Sequence, residues 1–451
     1  MQQLTVDEAR ERLEGALAAG REAEVTRYAT QLPNDEIERL LPDLNARSLS
    51  VLFRAMGDEW LAGIVSELDP TVAARLLVRL TDAQAADVLE EMPPDEAADV
   101  VGELREPDRE DVLREMEHEE AADIRELLEY PPETAGGRMT PQFVALREGM
   151  TVDEALRYLR GLGEEADSAY YVYVSDDAGR LAGVTTLRDL VLSPSDRRIA
   201  EITRREVVAV DANDDQEKAA RMLRELGFLA LPVVGPDRRL LGVITADDVA
   251  EVLEEEASED IERLGGSQPL EEPYLSASPW HLFRKRILWL LVLFIGGAYT
   301  STVLRNYEGE LAQVVALTFF IPLLIGTGGN TGTQVVSTLV RAIAVGEVTV
   351  RDVARVFMRE LVVGGMLATA IAVVAFARAW LLGVGPGIAE VVAITAFFIV
   401  VWAALVASVL PIVLTRLRLD PAVVSGPLIA TVVDGTGLVI YFTIAKFVLG
   451  L

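Results

Sequence analysis

The stretch VVDGTGLVIYFTIAKFVLGL, Val432 to Leu451, holds a carboxylate, Asp434, in an otherwise apolar run, with no other acid or base within ten residues on either side. About 20 apolar residues cross a bilayer as a helix, so the run reads as a membrane span. A carboxylate at that depth is costly and normally faces a partner or a water-filled path. Working outward, the apolar runs lie at roughly 287–304, 311–343, 356–384, 388–415 and 421–450. Residues 281–451 are therefore expected to form a transmembrane domain with five helices.

The second run contains Gly326-Thr-Gly-Gly-Asn-Thr-Gly-Thr-Gln334. Four glycines with two amides predict a break, and irregular backbone at membrane depth is tolerated inside protein or beside a wet cavity. The competing reading is close helix packing, the commoner use of membrane glycine. Asp434 has a competing reading too, as a polar residue that fastens one helix to another. Gly435 and Gly437 beside it would let a backbone or a hydrated ion approach. Taken together, Asp434 and the glycine run suggest a path for a cation. A hard divalent ion that keeps its water needs only one or two carboxylates, and a dimer with one aspartate per subunit would supply two.

The net charge of −30 is unevenly spread over the 451 residues. From His281 onward 12 Lys+Arg face 8 Asp+Glu, a balance of +4; before it 29 face 63, a balance of −34. Such an acidic half repels phosphates and excludes nucleic acid as a partner. It suits metal cations, or plain solubility. There is no cysteine, and His118 and His281 are the histidines, so thiolate sites and HExxH zinc chemistry are excluded. Any bound metal should be a hard one held by oxygen. The start, MQQLTVDEARERLEG, lacks the apolar core of a signal peptide. No nucleophile, base and orienting group assemble in the sequence, so an enzyme is not expected.

Residues 1–130 read as an acidic, all-α solenoid with a twelve-residue repeat: Asp87-Val-Leu-Glu-Glu-Met92, Asp99-Val-Val-Gly-Glu-Leu104, Asp111-Val-Leu-Arg-Glu-Met116 and Asp123-Ile-Arg-Glu-Leu-Leu128. Asp69-Pro70, Pro93-Pro94-Asp95 and Pro107-Asp108 are helix-start signals. Over 131–250 two passages repeat strand, turn, strand and helix. Gly183 corresponds to Gly242, Thr186 to Thr245 and Asp189 to Asp248. This α/β pattern resembles tandem CBS modules, which often bind adenine nucleotides between them. The two aspartates could equally be helix caps. Residues 251–280 hold an acidic helix and a Pro/Ser-punctuated linker. Seven of the twelve residues from Glu251 to Glu262 are acidic, with Glu251, Glu255, Glu259 and Glu262 near one face. A solvated face explains such a run; a divalent cation relieving the repulsion explains it as well.

Arg284-Lys285-Arg286 precedes the first span, Arg341, Arg351, Arg355 and Arg359 lie between the second and third, and Arg416 and Arg418 between the fourth and fifth. The positive-inside rule then puts the N-terminus and soluble domains in the cytoplasm and the C-terminus outside a cell (inner) membrane.

This order of segments, with Gly326–Gln334, Asp420-Pro-Ala-Val-Val-Ser-Gly-Pro427 and Asp434-Gly-Thr-Gly437, closely resembles the MgtE family of magnesium transporters over nearly the whole chain. The resemblance implies a multi-pass homodimer among membrane lipids: a Mg2+-selective channel gated closed by cytoplasmic Mg2+ and modulated by ATP. It makes Asp434 the pore carboxylate. It assigns regulatory Mg2+ to Asp95 and Asp99 of the N-terminal domain and to Asp215, Glu217, Asp248, Glu251, Glu256, Glu259 and Asp260 of the CBS part and connecting plug helix. Asp420 becomes their partner at the pore mouth, and Arg188, Asp189 and Phe228 line the ATP site. Gly426, Thr333 and Gly227 depart from residues the family often carries, which bears on the gate and on the regulatory sites. A broader Mn2+/Co2+ transporter and a non-conducting Mg2+ receptor are the alternatives.

Overall fold

The computed structural model describes residues 5–162, 171–270, 272–417 and 420–451; Arg418 lies outside them. The chain divides into two compact units, Met1–Glu256 with Glu271–Ser276, and Ala257–Leu270 with Ala277–Leu451.

The first unit opens with ten short helices: α1 (Val6–Ala19), α2 (Glu22–Ala29), α3 (Asn34–Leu40), α4 (Ala46–Met56), α5 (Asp58–Val65), α6 (Pro70–Leu77), α7 (Asp82–Glu90), α8 (Pro94–Glu103), α9 (Glu106–Glu115) and α10 (His118–Leu127). Helices this short are marginal alone, so each survives by burying one face against its neighbours. The repeat shows how. Val88, Val100, Val112 and Ile124 are all buried, as are Leu89, Val101 and Leu113, each twelve residues after the last. The starts follow from sequence. Asp69 caps α6 by accepting from the Thr71 and Val72 amides, Thr81 and Gln84 form a capping box on α7, and prolines open α6, α8 and α9.

Two three-stranded sheets follow. The first joins β1 (Ala145–Arg147), β2 (Tyr171–Ser175) and β3 (Leu181–Thr186), around α11 (Val152–Leu162), α12 (Leu187–Leu192) and α13 (Ile199–Ile202). The second joins β4 (Val210–Asp211), β5 (Ala230–Val234) and β6 (Leu240–Thr245), with α14 (Gln216–Leu226) and α15 (Ala246–Leu264). Their registers correspond: Tyr171 faces Thr186 where Ala230 faces Thr245, and each has an irregularity one strand-end in, at Val174/Ser175 and Val233/Val234. A side chain on Gly242 would meet the Thr140 carbonyl at 2.6 Å, and on Gly183 the Arg204 carbonyl at 2.6 Å, so the paired glycines admit a crossing backbone. The modules differ in their packing. The second shares one hydrophobic core with the solenoid, whereas the first keeps a core of its own and joins the second in another, where Tyr173 and Leu181 cluster with Val234, Leu240 and Val243.

The second unit begins with the last turns of α15 and carries α16 (Pro279–Asn306), α17 (Glu308–Gln313), α18 (Ile321–Ala344), α19 (Val353–Leu381), α20 (Pro386–Arg416) and α21 (Gly426–Leu449). Among the described residues five segments are long and apolar enough to cross a membrane: Pro279–Asn306, Val315–Ala344, Val350–Leu381, Pro386–Arg416 and Gly426–Leu449. The expected break in the second run is corrected. Gly326–Gln334 lies wholly within the α-helix α18, and the irregular backbone comes earlier, at Val314 and the 3-10 turn Val315–Phe320. Helix propensity does not decide the glycine stretch; the neighbouring helices do.

Candidate functional site

Helices α18, α20 and α21 pack together, and the glycines of α18 are where they touch. A Cβ on Gly328 would lie 2.6 Å from Ile399 and 2.7 Å from Val433, and one on Gly332 would lie 2.3 Å from Ile429. These glycines therefore serve close packing. The opposite side of α18 is polar: Asn330, Gln334, Ser337 and Thr338 are exposed, with Thr327 half-buried in line with them. Amides facing hydrocarbon are untenable without partners, so this stripe requires water or another polypeptide against it.

Asp434 sits half-buried on α21 between buried Val433 and Gly435. Its Oδ1 lies 4.0 Å from the point a Gly329 Cβ would occupy. Among the described residues no hydrogen-bond donor or basic side chain engages it. Thr436 is tied to α20 through the Trp402 indole, whose Nε1 donates to its Oγ1 at 2.9 Å, and Tyr441 donates to the Leu317 carbonyl at 2.9 Å. The helix is thus held, on the C-terminal side of Asp434, by bonds in which that carboxylate takes no part.

The foot of α21 is built from the Asp420–Pro427 motif. Asp420 caps the turn Pro421–Val423 by accepting from the Ala422 amide at 2.7 Å, and its other oxygen pairs with Arg263 of α15, which also pairs with Glu259. Helix α15 and Asp420 are joined, then, by an arginine, a residue the sequence reading passed over although its spacing from Glu259 is a helical ion-pair spacing. Ser425 caps α21 and accepts from Trp289 Nε1 at 3.1 Å. The family departures Gly426 and Thr333 face each other: a Cβ on Gly426 would meet Thr333 Cγ2 at 2.9 Å.

The second constellation is acidic. Asp95, Glu96 and Asp99 on α8 and Asp248, Glu251 and Glu255 on α15 share one electrostatic neighbourhood. Burial, then the charge of Asp248, pushes Asp95 up to about 7. Burial pushes Asp99 up to about 6, against the pull of Arg138. Burial also raises Glu96, Asp248 and Glu255. Asp95 Oδ1 and Glu96 Oε2 are buried without a hydrogen-bond partner, an arrangement that costs free energy unless something satisfies them. Two orphaned carboxylate oxygens among raised carboxylates are a donor set that fits a hard cation such as Mg2+. Among the described residues no three acidic or histidine side chains converge as a ready-made metal cluster.

Other predicted ligands have local partners. Asp215 caps α14 through the Glu217 amide at 2.9 Å, Glu217 pairs with Arg221 at 2.6 Å, and Glu256 accepts from Gln216 at 2.8 Å. Asp260 lies on the last turns of α15 and is not without partners. Gly227 ends α14 in the left-handed region (φ 66°), so glycine suits the turn there. Asp248 accepts from the Thr245 amide (2.8 Å) and hydroxyl (2.7 Å), a helix cap as well as a member of the cluster. In the other module Thr186 accepts from the Asp189 amide, and Asp189 faces Arg204 at 3.4 Å while Arg188 is exposed. Phe228 meets Tyr171 of the first module edge-on, centroids 6.2 Å apart. Tyr171 was not singled out from sequence. Tyr173 beside it is buried, with its hydroxyl unpartnered.

Five spans among the described residues, paired α/β modules and an unpaired carboxylate deep in the last span define a multi-pass membrane protein of the cation-transport class. Residues 321–444 match the family model described as a divalent cation transporter, residues 24–133 the MgtE intracellular N domain, and residues 135–195 and 199–255 the CBS domain. The chain belongs to the MgtE family of magnesium transporters. It is 44% identical over 323 residues to the magnesium transporter MgtE of Thermus thermophilus, covering 72% of each chain. It is 37% identical over 328 residues to that of Enterococcus faecalis, covering 71% of this chain and 70% of the other. A crystal structure of the cytosolic domain of the Mg2+ channel MgtE in complex with ATP is 34% identical, with a TM-score of 0.49 over 53% of this chain and 98% of that one.

Proposed function

We propose that this protein is a Mg2+-selective channel of the cell membrane that acts as a homodimer, closes when cytoplasmic Mg2+ fills its acidic cytosolic surfaces, and is modulated by ATP. The observation that carries the transport reading is Asp434: an intramembrane carboxylate with no donor or counter-cation among the described residues, against the glycine face of α18. Such a group fits a hydrated divalent ion, which trades few of its waters for protein oxygen. The polar stripe of Asn330, Gln334 and Ser337 supports a water-filled path shared with a second copy, because lipid cannot satisfy it. The basic residues at Arg284–Arg286 and Arg351–Arg359 favour cytoplasmic soluble domains and a C-terminus outside.

Gating would use the acids gathered in the cytosolic unit. Without divalent ions, Asp95, Asp99, Asp248 and Glu251 repel; with them, Mg2+ held through water satisfies the orphaned oxygens and favours the packed state. The ion shifts the equilibrium by its differential affinity for the two states. Glu259, Asp260 and Asp420 would carry that change toward the pore, and Asp215, Glu217 and Glu256 would supply peripheral ion sites. ATP would be held by Arg188, Asp189 and Phe228, with Tyr171 of the first module edge-on to the Phe228 ring.

The test is reconstitution in liposomes containing a Mg2+ dye. Wild type should admit Mg2+ down its gradient and be slowed by Mg2+ on the cytosolic face; the Asp434→Asn protein should admit on the order of 100-fold less, or none. Equal entry of Mn2+ and Co2+ would replace selectivity with broad divalent transport, and no entry at all would leave a receptor.

A further inference from the structure

Arg138 lies in the turn after α10, and that turn is anchored before its side chain begins. The Ala135 amide donates to the Asp214 carbonyl at 2.7 Å and the Gly136 amide to the Ala212 carbonyl at 2.8 Å, both in the second α/β module. The Arg138 amide closes the turn onto the Thr134 carbonyl at 3.1 Å. A side chain on Gly137 would strike the Pro131 carbonyl at 2.4 Å, so the winding is tight.

From this fixed base the guanidinium reaches three elements. Nη1 pairs with Asp99 of α8 at 3.2 Å, Nη2 pairs with Glu255 of α15, and Nε donates to Gln216 Oε1 at the start of α14 at 2.9 Å. Gln216 Nε2 in turn donates a hydrogen bond to Glu256 Oε1 of α15 at 2.8 Å. The Arg138 side chain is only 15% exposed. A guanidinium is always charged and presents a rigid fork of donors; a lysine at the same place would be a point charge without the fork.

We propose that Arg138 is a resident counter-cation of the acidic cluster: it fills, covalently and permanently, a place between Asp99 and Glu255 that a divalent ion would otherwise have to occupy, and so sets how much free Mg2+ the cytosolic unit needs to pack. The proposal rests on the reading that Mg2+ stabilises that packed state. Arg138 answers Asp99, Asp248 and Glu255. It leaves the Asp95 and Glu96 oxygens unanswered, and the mobile ion acts on those. Arg138 is a positioning residue: it touches no transported ion.

The experiment uses the full chain in lipid nanodiscs, cut by chymotrypsin in EDTA and then over a MgCl2 titration at constant ionic strength. Arg138→Met should be cut about tenfold faster than wild type in EDTA and need about tenfold more Mg2+ for half-protection, equivalent to about 1.4 kcal/mol. The titration should also steepen, since an ion enters the vacated place. Arg138→Lys should recover part of the loss, and Arg138→Met with Asp99→Asn should recover more, which guards against a variant that merely misfolds. Equal cutting in EDTA with an equal Mg2+ midpoint would overturn the proposal while leaving Mg2+ regulation standing. Faster cutting of Arg138→Met in EDTA, with no Mg2+ response in either protein, would uphold the counter-cation and overturn the regulatory reading.

Discussion

Two of the places where this chain buries carboxylates solve opposite problems. In α21 Asp434 stands alone, with glycine on neighbouring faces and no charge beside it. In the first unit Asp95, Glu96, Asp99, Asp248, Glu251 and Glu255 crowd together, and Arg138 answers some of them. A single charge in an apolar setting is destabilised by lost hydration; a crowd is destabilised by lost hydration and by mutual repulsion. Under the proposed function, the first arrangement would lower its cost by meeting one passing hydrated ion, and the second would gain most from ions that stay. On that proposal a conduction residue and a sensor differ in local charge density more than in side-chain chemistry.

The largest test of this contrast is Asp434→Asn. Transport should fall on the order of 100-fold or more, the equivalent of the ~2.5–3.5 kcal/mol scale of a mid-membrane charge, while the folded membrane unit keeps or gains thermal stability. A variant that transported normally would remove the distinction. Gly332→Ala comes next: its methyl would lie 2.3 Å from Ile429, and overpacking should cost about 1–3 kcal/mol, seen as a lower melting temperature in detergent. If it were tolerated, the packing role of the α18 glycines would be wrong.

The crowd is tested by removing one member. Asp95→Asn should stabilise the first unit in EDTA by about 1 kcal/mol, since it deletes a buried charge beside Asp248, and should blunt its stabilisation by Mg2+. Acidity should act likewise. Asp95 and Asp99 are raised from 3.8 to about 7 and about 6, so the folded state binds more protons than the unfolded state between about pH 4 and 7. Stability in EDTA should therefore fall as pH rises through that window, and saturating Mg2+ should flatten the curve; melting temperatures from pH 5 to 8 with and without Mg2+ check both. The smallest effect expected is that of Asp215→Asn, because asparagine caps a helix about as well. Stability should change by less than about 0.5 kcal/mol, and a moved Mg2+ midpoint would then report ion ligation at that residue.

Much was legible without coordinates, for definite reasons. Bilayer thickness sets span length, so five runs gave five spans. A twelve-residue repeat with proline punctuation leaves room for one short helix and a turn, and Val88, Val100, Val112 and Ile124 are buried at that spacing. Gly183, Thr186 and Asp189 recur as Gly242, Thr245 and Asp248 because each module has the same backbone crossing and a Thr–Asp bond at its helix start, although Thr186 accepts from the Asp189 amide where Thr245 donates to the Asp248 carboxylate. The glycine run was misread as a break because spacing along one chain does not show what presses on it from α20 and α21. Arg138 and Arg263 went unremarked for a related reason: an arginine in a turn or at a helix end is commonplace until its partners, far away in sequence, are seen.

Sequence by itself determined the class of each segment, the charge imbalance between halves and the isolation of Asp434, since these depend on hydropathy, local propensity and the absence of neighbours along the chain. Tertiary structure alone decided which glycines pack, which acids crowd, and which arginines answer them. Those outcomes rest on distances between residues remote in the chain, and buried electrostatics changes over a few ångströms, a scale that residue order does not record.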